Sequence, residues 1–554
     1  MRGKKPDETG KRLYALYRRY KNEKAGLDAR LRENEDWWQG RQWQRAGANG
    51  EDGPVTPYLF NAVWNKHAGA MDNYPEPLFL EREERDRAEA QRLSKIVPLI
   101  LERTGFYGTY SDAWWRKLKN GFAVYFVFWD RTLENGLGDI GITTVDGLRF
   151  YAEPQISDIQ QSRCVFVTSL MPKAEAKRRF PAVDFERTAE PVEGYFHEKP
   201  NEEDTVQILD CYERVRGADG RMRVHLTQLY GDVILYSTKT DPLLRDSGLY
   251  DHGMYPFVID VMVPVEKSLY GMGLIDIGKS MQGSIDRMDH LIEKNSLVAA
   301  RPRFLLKRSA GVDRGALLDM RNDVVEADST VDDTAVRPIQ AAALPSGVLQ
   351  VRLQKADELK EILGNRDFQQ GSVTGGVTAY SAIAALQESG NKLERDLISA
   401  SYESFRQVME LTVELIRQFY SQQRVFRILG PDGSVSYLRY GNEGLRPHPL
   451  AGETGDGLFR KPVFDIKISA QKQNPFSTLQ HNQLCIQLYQ LGVFQPENAE
   501  AAAILLDSLI LPGKESLLAA VRQNAAQPAP QNLAADGQTL PQDPAEERML
   551  ETLL

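Results

Sequence analysis

Residues 346–427 decide the fold, because they combine a helix, a glycine-rich break and a much longer helix. The first segment, GVLQVRLQKADELKEILG at 347–364, mixes apolar and charged residues as an amphipathic helix does, and Gly364-Asn365 ends it. After the break, apolar residues recur every three or four positions. They are Ile383, Leu386, Leu393, Leu397, Phe405, Val408, Met409, Leu415, Ile416 and Phe419. We expect a second helix of about 45 residues, about 65 Å long.

The break between the two helices is NRDFQQGSVTGGVTAYS, residues 365–381. Its three glycines allow positive φ angles, and its Gln, Ser and Thr side chains supply polar groups without forming a core. We therefore expect an exposed, mobile loop, well placed to touch something that passes by.

Composition and length favour a globular protein built from more than one packed unit. The chain has 554 residues, 42% of them hydrophobic and 26% charged, and single cores stop growing at about 250–300 residues. We expect a soluble intracellular product, because no apolar run approaches the ~18 residues that span a bilayer and the N-terminus lacks the apolar core of a signal peptide. The three cysteines, Cys164, Cys211 and Cys485, are widely separated and predict reduced thiols.

The charge balance excludes a protein that coats nucleic acid. The net charge is −9, and residues 1–50 carry thirteen Lys and Arg against seven Asp and Glu. The rest of the chain is therefore strongly acidic. A DNA-handling protein with this balance would let DNA slide, since each fixed cation on a phosphate adds affinity.

Hydrophobic periodicity divides the chain before the organising stretch. Residues 7–45 predict a helix, and its Trp37, Trp38 and Trp43 are expected to pack in the fold. From Gly121 to Pro264 the pattern changes to buried strands such as GFAVYFVFWD and SRCVFVTSLM. Helical spacing returns from Leu274 to Ala300, and residues 303–340 hold short strand-like pieces.

The end of the chain predicts strands, then helices, then a low-complexity tail. RVFRILG, SVSYLRY and KPVFDIKISA, between 424 and 470, favour strands. Helical patterns follow beyond residue 473, and NAAQPAPQNLAADGQTLPQDP is expected to be disordered before a possible short terminal helix.

Motifs for nucleotide, metal or catalytic chemistry are incomplete in this sequence. GSVTGGVT has Gly371 and Gly376 at P-loop spacing, but Val377 stands where a lysine is required. YGMGLIDIG has Asp276 in place of the third glycine of a dinucleotide fingerprint, so a turn leading into a helix explains it better. The seven histidines show no metal-ligand spacing. We therefore predict no enzymatic activity and no cofactor or metal.

The order helix, polar glycine loop and long helix resembles the portal proteins of tailed bacteriophages, particularly those of short-tailed phages. The loop is followed by TAYS and by QESGNKLERDLISASYESF at 387–405. Further similar stretches are PYLFNAVWNKHAGAMDNYPEPLFL at 57–80, RCVFVTSLMPKAEAKRRFP at 163–181 and SLYGMGLIDIGKSMQGSIDRMDHLIEKNSL at 268–297. The likeness covers roughly residues 57–480.

The resemblance implies an α+β portal architecture with defined parts. They are a wing of N-terminal helices and a β-rich part (1–273), stem helix 1 (274–300), a clip (301–345), stem helix 2 (346–363), a tunnel loop (364–381), a long spine helix with a second wing part (382–472), a helical crown (473–526) and a disordered tail (527–554).

Candidate functional residues follow from these parts. The tunnel loop would face DNA through Asp367, Gln369, Gln370, Gly371, Ser372, Thr374, Gly375, Gly376 and Thr378. The second stem helix would line the channel through Arg352, Lys355 and Lys360, whose alternative role is solubility. Arg301, Arg303, Lys307 and Arg308 of the clip could contact DNA phosphates or an acidic partner such as terminase, or form intersubunit ion pairs with acids such as Glu326, Asp332 and Asp333. We favour the ion pairs, because interface charges are common in ring assemblies.

The function that the resemblance implies is that of a dodecameric ring at one capsid vertex of the virion, assembled in the host bacterial cytoplasm. Double-stranded DNA would pass through it during packaging and ejection. Expected partners are terminase, a head-to-tail connector or tail proteins, and the major capsid and scaffolding proteins, with no membrane. The alternatives are a DNA-processing enzyme, such as terminase or a nuclease, and another head–tail structural component.

Overall fold

The helices of the computed structural model follow the periodicity of the sequence closely. The structure describes residues 7–45, 53–185, 205–217, 219–300, 303–307, 312–319, 336–339, 345–364, 392–429, 435–449, 459–472, 487–488, 490–491, 500, 503, 506 and 517–521. Its helices are α1 (Glu8–Trp38), α2 (Gln42–Arg45), α3 (Tyr58–Asp72), α4 (Arg87–Arg103), α5 (Phe106–Asn120), α6 (Lys173–Arg179), α7 (Leu274–Ala300), α8 (Arg314–Leu318), α9 (Ser346–Ile362) and α10 (Lys392–Phe419). The helices expected at 274–300 and 346–363 are thus present as α7 and α9.

The strands are short and antiparallel, and the fold is of the α+β class. They are β1 (Asn73–Glu81), β2 (Phe122–Asp130), β3 (Asp139–Val145), β4 (Phe150–Tyr151), β5 (Cys164–Pro172), β6 (Thr205–Arg216), β7 (Met222–Tyr230), β8 (Val233–Ser237), β9 (Phe257–Val261), β10 (Arg303–Leu306), β11 (Val336–Ile339), β12 (Arg424–Leu429), β13 (Val435–Tyr440), β14 (His448–Pro449), β15 (Phe459–Arg460) and β16 (Phe464–Lys472). Two larger sheets have the orders β4-β5-β6-β7-β8 and β3-β2-β9.

Helix α1 covers the five-stranded sheet with one apolar face. Leu13, Tyr17 and Tyr20 of that face are at most 2% exposed. The ring of Tyr17 meets the ring of Tyr151 edge-on at 5.1 Å, and Tyr20 meets Phe166 at 5.7 Å. The spacing of 13, 17 and 20 is the helical spacing that the sequence shows. Cys164 and Cys211 lie buried in the same cluster as free thiols, as expected.

The long helix α10 forms the centre of the main core. Val408, Met409 and Ile416 are completely buried, and the helix contacts β2, β9 and β16. Its Phe405 packs against Phe106 of α5 with ring centroids 5.5 Å apart. The described part has 28 residues, which gives a length of about 42 Å. The prediction extends this helix too far, because α10 ends at Phe419 and residues 424–429 form β12. The predicted part before Lys392 lies outside the described residues.

One strand pair was not anticipated from the sequence. β1 and β16 pair antiparallel from Asn73↔Lys472 to Glu81↔Phe464. Tyr74-Pro75-Glu76-Pro77 indicates the end of a helix more readily than a strand, because prolines are rare in central strands. The sheet has just these two strands, so each proline lies on an edge strand, where a missing backbone donor is tolerated.

The chain divides into two compact units. The first comprises Met1–Ile428 and Val435–Lys472, and it holds all the elements named above apart from the last residue of β12. The second comprises Leu429–Ser434 and Gln473–Leu554. The described residues 487–488, 490, 500, 503, 506 and 517–521 of the second unit are helical, and its Leu506 is 1% exposed.

Candidate functional site

Helices α7 and α9 pack side by side, and a glycine permits their close approach to α3. A Cβ atom on Gly278 of α7 would lie 2.5 Å from Cδ2 of Leu59 and 3.2 Å from Cδ2 of Leu363. Leu359 and Ala356 of α9 are buried in the same contact. A larger residue at position 278 would therefore have to displace the side chains of Leu59 and Leu363 that pack against α7.

A forked ion pair joins the two helices further along. Nε and Nη2 of Arg352 on α9 donate to Oδ1 and Oδ2 of Asp289 on α7 at 2.8 and 3.0 Å. Nη1 of Arg352 donates to the hydroxyl of Tyr58 at 3.3 Å, and Oγ1 of Thr56 donates to Asp289 Oδ2 at 3.0 Å. These bonds raise the pKa of Arg352, and the bonds from the guanidinium lower the pKa of Asp289. Two parallel hydrogen bonds to one carboxylate fix the orientation of both helices.

A second carboxylate of α7 anchors the segment that follows α2. Asp286 is 1% exposed and accepts from Nε2 of Gln282 at 2.7 Å and from Nε2 of Gln42 at 2.9 Å. The amide of Thr56 also donates to it, at 3.5 Å. Burial raises the pKa of Asp286. The network fixes Gln42 and Thr56 against the middle of α7.

Asp276 explains the incomplete dinucleotide fingerprint. Its Oδ2 accepts from the amide of Gly273 at 3.0 Å, and its Oδ1 accepts from Nδ2 of Asn34 at 2.9 Å. A carboxylate in the first turn of a helix that accepts from an amide just before the helix satisfies a backbone donor that would otherwise lack a partner. The segment is therefore a turn leading into α7, as the sequence analysis preferred.

The far ends of α7 and α9 expose large apolar side chains. Leu291 and Leu297 of α7 are 62% and 57% exposed, and Leu353 of α9 is 59% exposed. Leu305 of β10, in the segment that joins the two helices, is 63% exposed. Several exposed leucines in one region are unusual for a monomer and are typical of a surface that another molecule covers.

The structure places some of the predicted site residues and does not describe others. Lys355 lies with its Nζ 3.9 Å from Sδ of Met281, and Lys360 is half-buried on α9. Arg303 stands opposite Ile339 in the β10–β11 pair, and Lys307 is exposed. Arg301, Arg308 and the acids Glu326, Asp332 and Asp333 lie outside the described residues. So do the nine candidate residues of the tunnel loop, Asp367, Gln369, Gln370, Gly371, Ser372, Thr374, Gly375, Gly376 and Thr378.

The end of α9 and the start of α10 both lie near α3, and residues 365–391 between them are outside the described part of the chain. Gly364 follows α9 at φ +60°, close to the packing of Leu363 near Gly278. At the start of α10, Glu394 lies 3.6 Å from Nζ of Lys66 on α3. Burial raises the pKa of Glu394, and the nearby Lys66 opposes that shift.

A buried polar cluster fastens the first turns of α10 to the rest of the first unit. Nζ of Lys117 on α5 lies 2.8 Å from Oδ1 of Asp260 on β9, and both residues are at most 1% exposed. Oγ of Ser401 on α10 lies 2.6 Å from Lys117 Nζ and donates to Asp260 Oδ2 at 2.7 Å. Ser404 donates to Asp260 Oδ1 at 3.3 Å.

The sequence analysis missed this cluster. Lys117 and Asp260 are separated by 143 positions, and neither stands in a motif. The available signal was in α10, where Ser401, Ser404 and Thr412 interrupt an otherwise apolar face. Buried hydroxyls on a helix require hydrogen-bond partners, so their positions indicate where a polar group from another element must approach.

No cluster of three His, Cys, Asp or Glu residues in the described part of the chain has the geometry to hold a metal ion. None of the helices in that part is long and apolar enough to cross a bilayer.

Comparison with known families bears on this arrangement directly. Residues 307–552 match the family model described as "Phage P22-like portal protein". The resemblance to portal proteins of short-tailed phages is therefore confirmed over that range, which begins between α7 and α9 and includes α9 and α10. Portal proteins are a structural family. A comparison with curated proteins gave no match.

Proposed function

We propose that this chain is the portal protein of a short-tailed phage, which assembles as a ring of twelve copies at one vertex of the capsid. Double-stranded DNA passes through the ring into the capsid during packaging and out of it during ejection. The family match over 307–552 carries the proposal, since it covers the parts from the clip through the loop to the long helix.

The exposed leucines of α7 and α9 support assembly through these helices. Burying a leucine side chain stabilises a contact by roughly 1.5–3 kcal/mol relative to leaving it in water. Leu291, Leu297 and Leu353 are each more than half exposed in the single chain. A ring repeats one head-to-tail contact around an axis, so a neighbouring copy would cover these side chains in every subunit.

The candidate residues then have distinct proposed roles. Residues 367–378 face or gate the DNA. Lys355 and Lys360 line the channel. Arg352 also lines it, and its forked ion pair with Asp289 holds α9 to α7. Arg301, Arg303, Lys307 and Arg308 form intersubunit ion pairs or contact terminase.

The partners follow from the proposed position in the virion. Terminase supplies the energy for packaging from outside the ring, and a head-to-tail connector or tail protein later takes its place. The major capsid and scaffolding proteins surround the body of the ring. The net charge of −9 suits a channel that lets DNA slide, because few phosphates are neutralised by fixed cations.

Electron microscopy of the purified full chain tests the proposal most directly. We expect closed rings with an axial hole in negative stain. A purified chain that remains a monomer and hydrolyses nucleotide would overturn the proposal.

The DNA-facing role of the loop has its own test, deletion of Gly371–Gly376. We expect this variant to form rings as the wild type does and to lose DNA packaging or retention, measured as nuclease-protected DNA per particle. A variant in which six alternating Gly and Ser residues replace the deleted segment controls for loop length. Failure of the deletion variant to form rings would contradict the assignment.

A further inference from the structure

An exposed group of aromatic rings lies on α1, α3 and α5, and we call it the aromatic patch: Trp38, Phe60, Trp64 and Trp115. Trp64 is 53% exposed and Phe60 is 40% exposed. Phe60 stacks on Trp38 with ring centroids 4.8 Å apart, and Trp64 meets Trp115 edge-on at 5.5 Å. Aromatic side chains of this size dominate binding energy where a partner covers them.

The patch is rigid, which favours a role in binding. His67 stacks on Trp115 at 3.8 Å, and its Nε2 lies 3.0 Å from Oγ of Ser111. Nζ of Lys119 lies over the Trp38 ring at 5.4 Å and pairs with Glu35 at 2.7 Å. Because the rings beneath the surface are already held in place, a partner that covers Phe60 and Trp64 loses little side-chain entropy in ordering them.

A second exposed face lies on strands β12 and β13, and its chemistry complements the patch. Tyr437, Val425 and Val435 are 70%, 60% and 52% exposed. Arg427 and Arg439 are exposed on the same two strands. Guanidinium groups bind the faces of tryptophan rings favourably, so this hairpin face suits the aromatic patch in both charge and apolar character.

The two faces lie toward opposite ends of α10. On the side of the patch, Glu394 at the start of α10 contacts Lys66 of α3, and Ser401 contacts Lys117 of α5. On the side of the hairpin, the guanidinium of Arg424 lies 4.2 Å from the ring centroid of Tyr420, the residue after α10 ends. The elements that carry the two faces therefore contact α10 near its opposite ends, and that helix is about 42 Å long. A single copy cannot bring them together, whereas a head-to-tail ring requires two different faces on opposite sides of the subunit.

We propose that the aromatic patch of one copy binds the β12–β13 hairpin of the next copy. This inference rests on the proposed ring, and it names a contact within it that is separate from the leucines of α7 and α9. DNA does not suit the patch, because its bases are stacked inside the duplex and their faces are not available to tryptophan rings.

Photo-crosslinking in the full chain tests the contact, with p-benzoylphenylalanine in place of Trp64. Irradiation is expected to give a ladder of products at multiples of 62.5 kDa that extends beyond the dimer, with adducts mapped by mass spectrometry to residues 424–440. The same photoreactive residue in place of Leu243, which is 86% exposed, is the control and should give no such adducts. A ladder that stops at the dimer, adducts in another protein or in another region, or equal crosslinking from position 243 overturns the proposal.

Complementation between two variants gives an independent test. Phe60→Ala/Trp64→Ala removes the patch, and Tyr437→Ala/Arg439→Ala removes the hairpin face. Each variant alone should assemble at least about 30-fold more weakly, the effect of losing one hot-spot contact. A mixture of the two should give one-to-one pairs, because only one intact contact can form between them. Rings of either variant at the wild-type concentration overturn the proposal.

The same preparations separate this inference from the proposed function. Wild-type rings without the expected crosslink refute the patch–hairpin contact and leave the portal assignment standing. A wild-type chain that forms no rings in the microscope refutes both.

Discussion

At the scale of single residues, buried polar groups affect stability most, because a buried group that loses its hydrogen-bond partner or gains a charge costs free energy. His252 is half-buried in the turn before β9, and its Nδ1 accepts from the amide of Met254 at 3.1 Å. Its ring stacks on Tyr250 with centroids 5.3 Å apart. Burial lowers the pKa of His252 to about 4, although the nearby carboxylates of Glu414 and Asp251 oppose that shift.

The lowered pKa predicts acid sensitivity. An unfolded histidine has a pKa of about 6.5, so the neutral ring stabilises the folded chain fully above that pH. The stabilisation is lost as the pH falls through the folded value. Between pH 7 and pH 4 we expect the free energy of unfolding of the wild type to fall on the order of 1–3 kcal/mol further than that of His252→Asn, which does not titrate. Urea denaturation at a series of pH values checks this, and parallel pH profiles would contradict it.

Breaking the buried Lys117–Asp260 ion pair should lower the free energy of unfolding more than protonation of His252 does. Replacing Lys117 by Met leaves the carboxylate of Asp260 buried with only serine hydroxyls as partners, and breaking such a pair costs about 3–5 kcal/mol. Urea denaturation measures the loss. The double variant Lys117→Met/Asp260→Asn should recover part of it, because no charge then remains buried. A single variant as stable as the wild type would show that the pair does not hold α10.

At the scale of elements, the forked bond between Arg352 and Asp289 should determine how firmly α9 is held to α7. Arg352→Lys keeps the charge and loses the planar fork, so we expect a loss of about 1–2 kcal/mol. The expected readout is faster amide hydrogen exchange in α9 and the second half of α7. Gln354→Ala is the matched control, since Gln354 bonds only Glu358 of its own helix among the contacts seen. Unchanged exchange in Arg352→Lys would refute the role.

The helices and strands also show which elements the sequence can predict and which it cannot. α7 and α9 were placed to within a residue, because their apolar spacing and their terminating residues are local signals. α5 was missed, since five of the fifteen residues of FYGTYSDAWWRKLKN are aromatic and of modest helix propensity, and the segment is helical through its packing. β1 was missed because its partner β16 lies almost 400 positions away. The residues of the functional site that depend on such contacts, Lys117 and Asp260, escaped for the same reason.

At the scale of the whole molecule, buried apolar side chains make contacts within one copy, whereas exposed apolar side chains are available for contacts between copies. The side chains that stabilise the single chain surround α10 and are nearly all buried. The leucines at the far ends of α7 and α9 are more than half exposed. They contribute little to folding of one copy, and in the proposed ring they contribute to assembly.

This separation predicts that assembly can be abolished without unfolding the chain. Leu291→Glu, Leu297→Glu and Leu353→Glu each place a carboxylate where a neighbouring copy would exclude water, and burying an unpaired charge costs several kcal/mol. We expect the combined variant to sediment as a monomer at concentrations where the wild type forms rings. Its circular dichroism and urea midpoint should stay unchanged, because the charges remain in water in the single chain.

Leu243→Glu is the control for this variant, since Leu243 is 86% exposed and lies outside α7 and α9. It adds charge to the surface and should leave ring formation intact. Rings formed by the triple variant at the wild-type concentration would show that these leucines are not at the subunit contact. A triple variant that is itself unfolded would show that the exposed leucines stabilise the single chain, which contradicts a role confined to assembly. Assembly lost with the fold retained is the result that assigns α7 and α9 to the contact between copies.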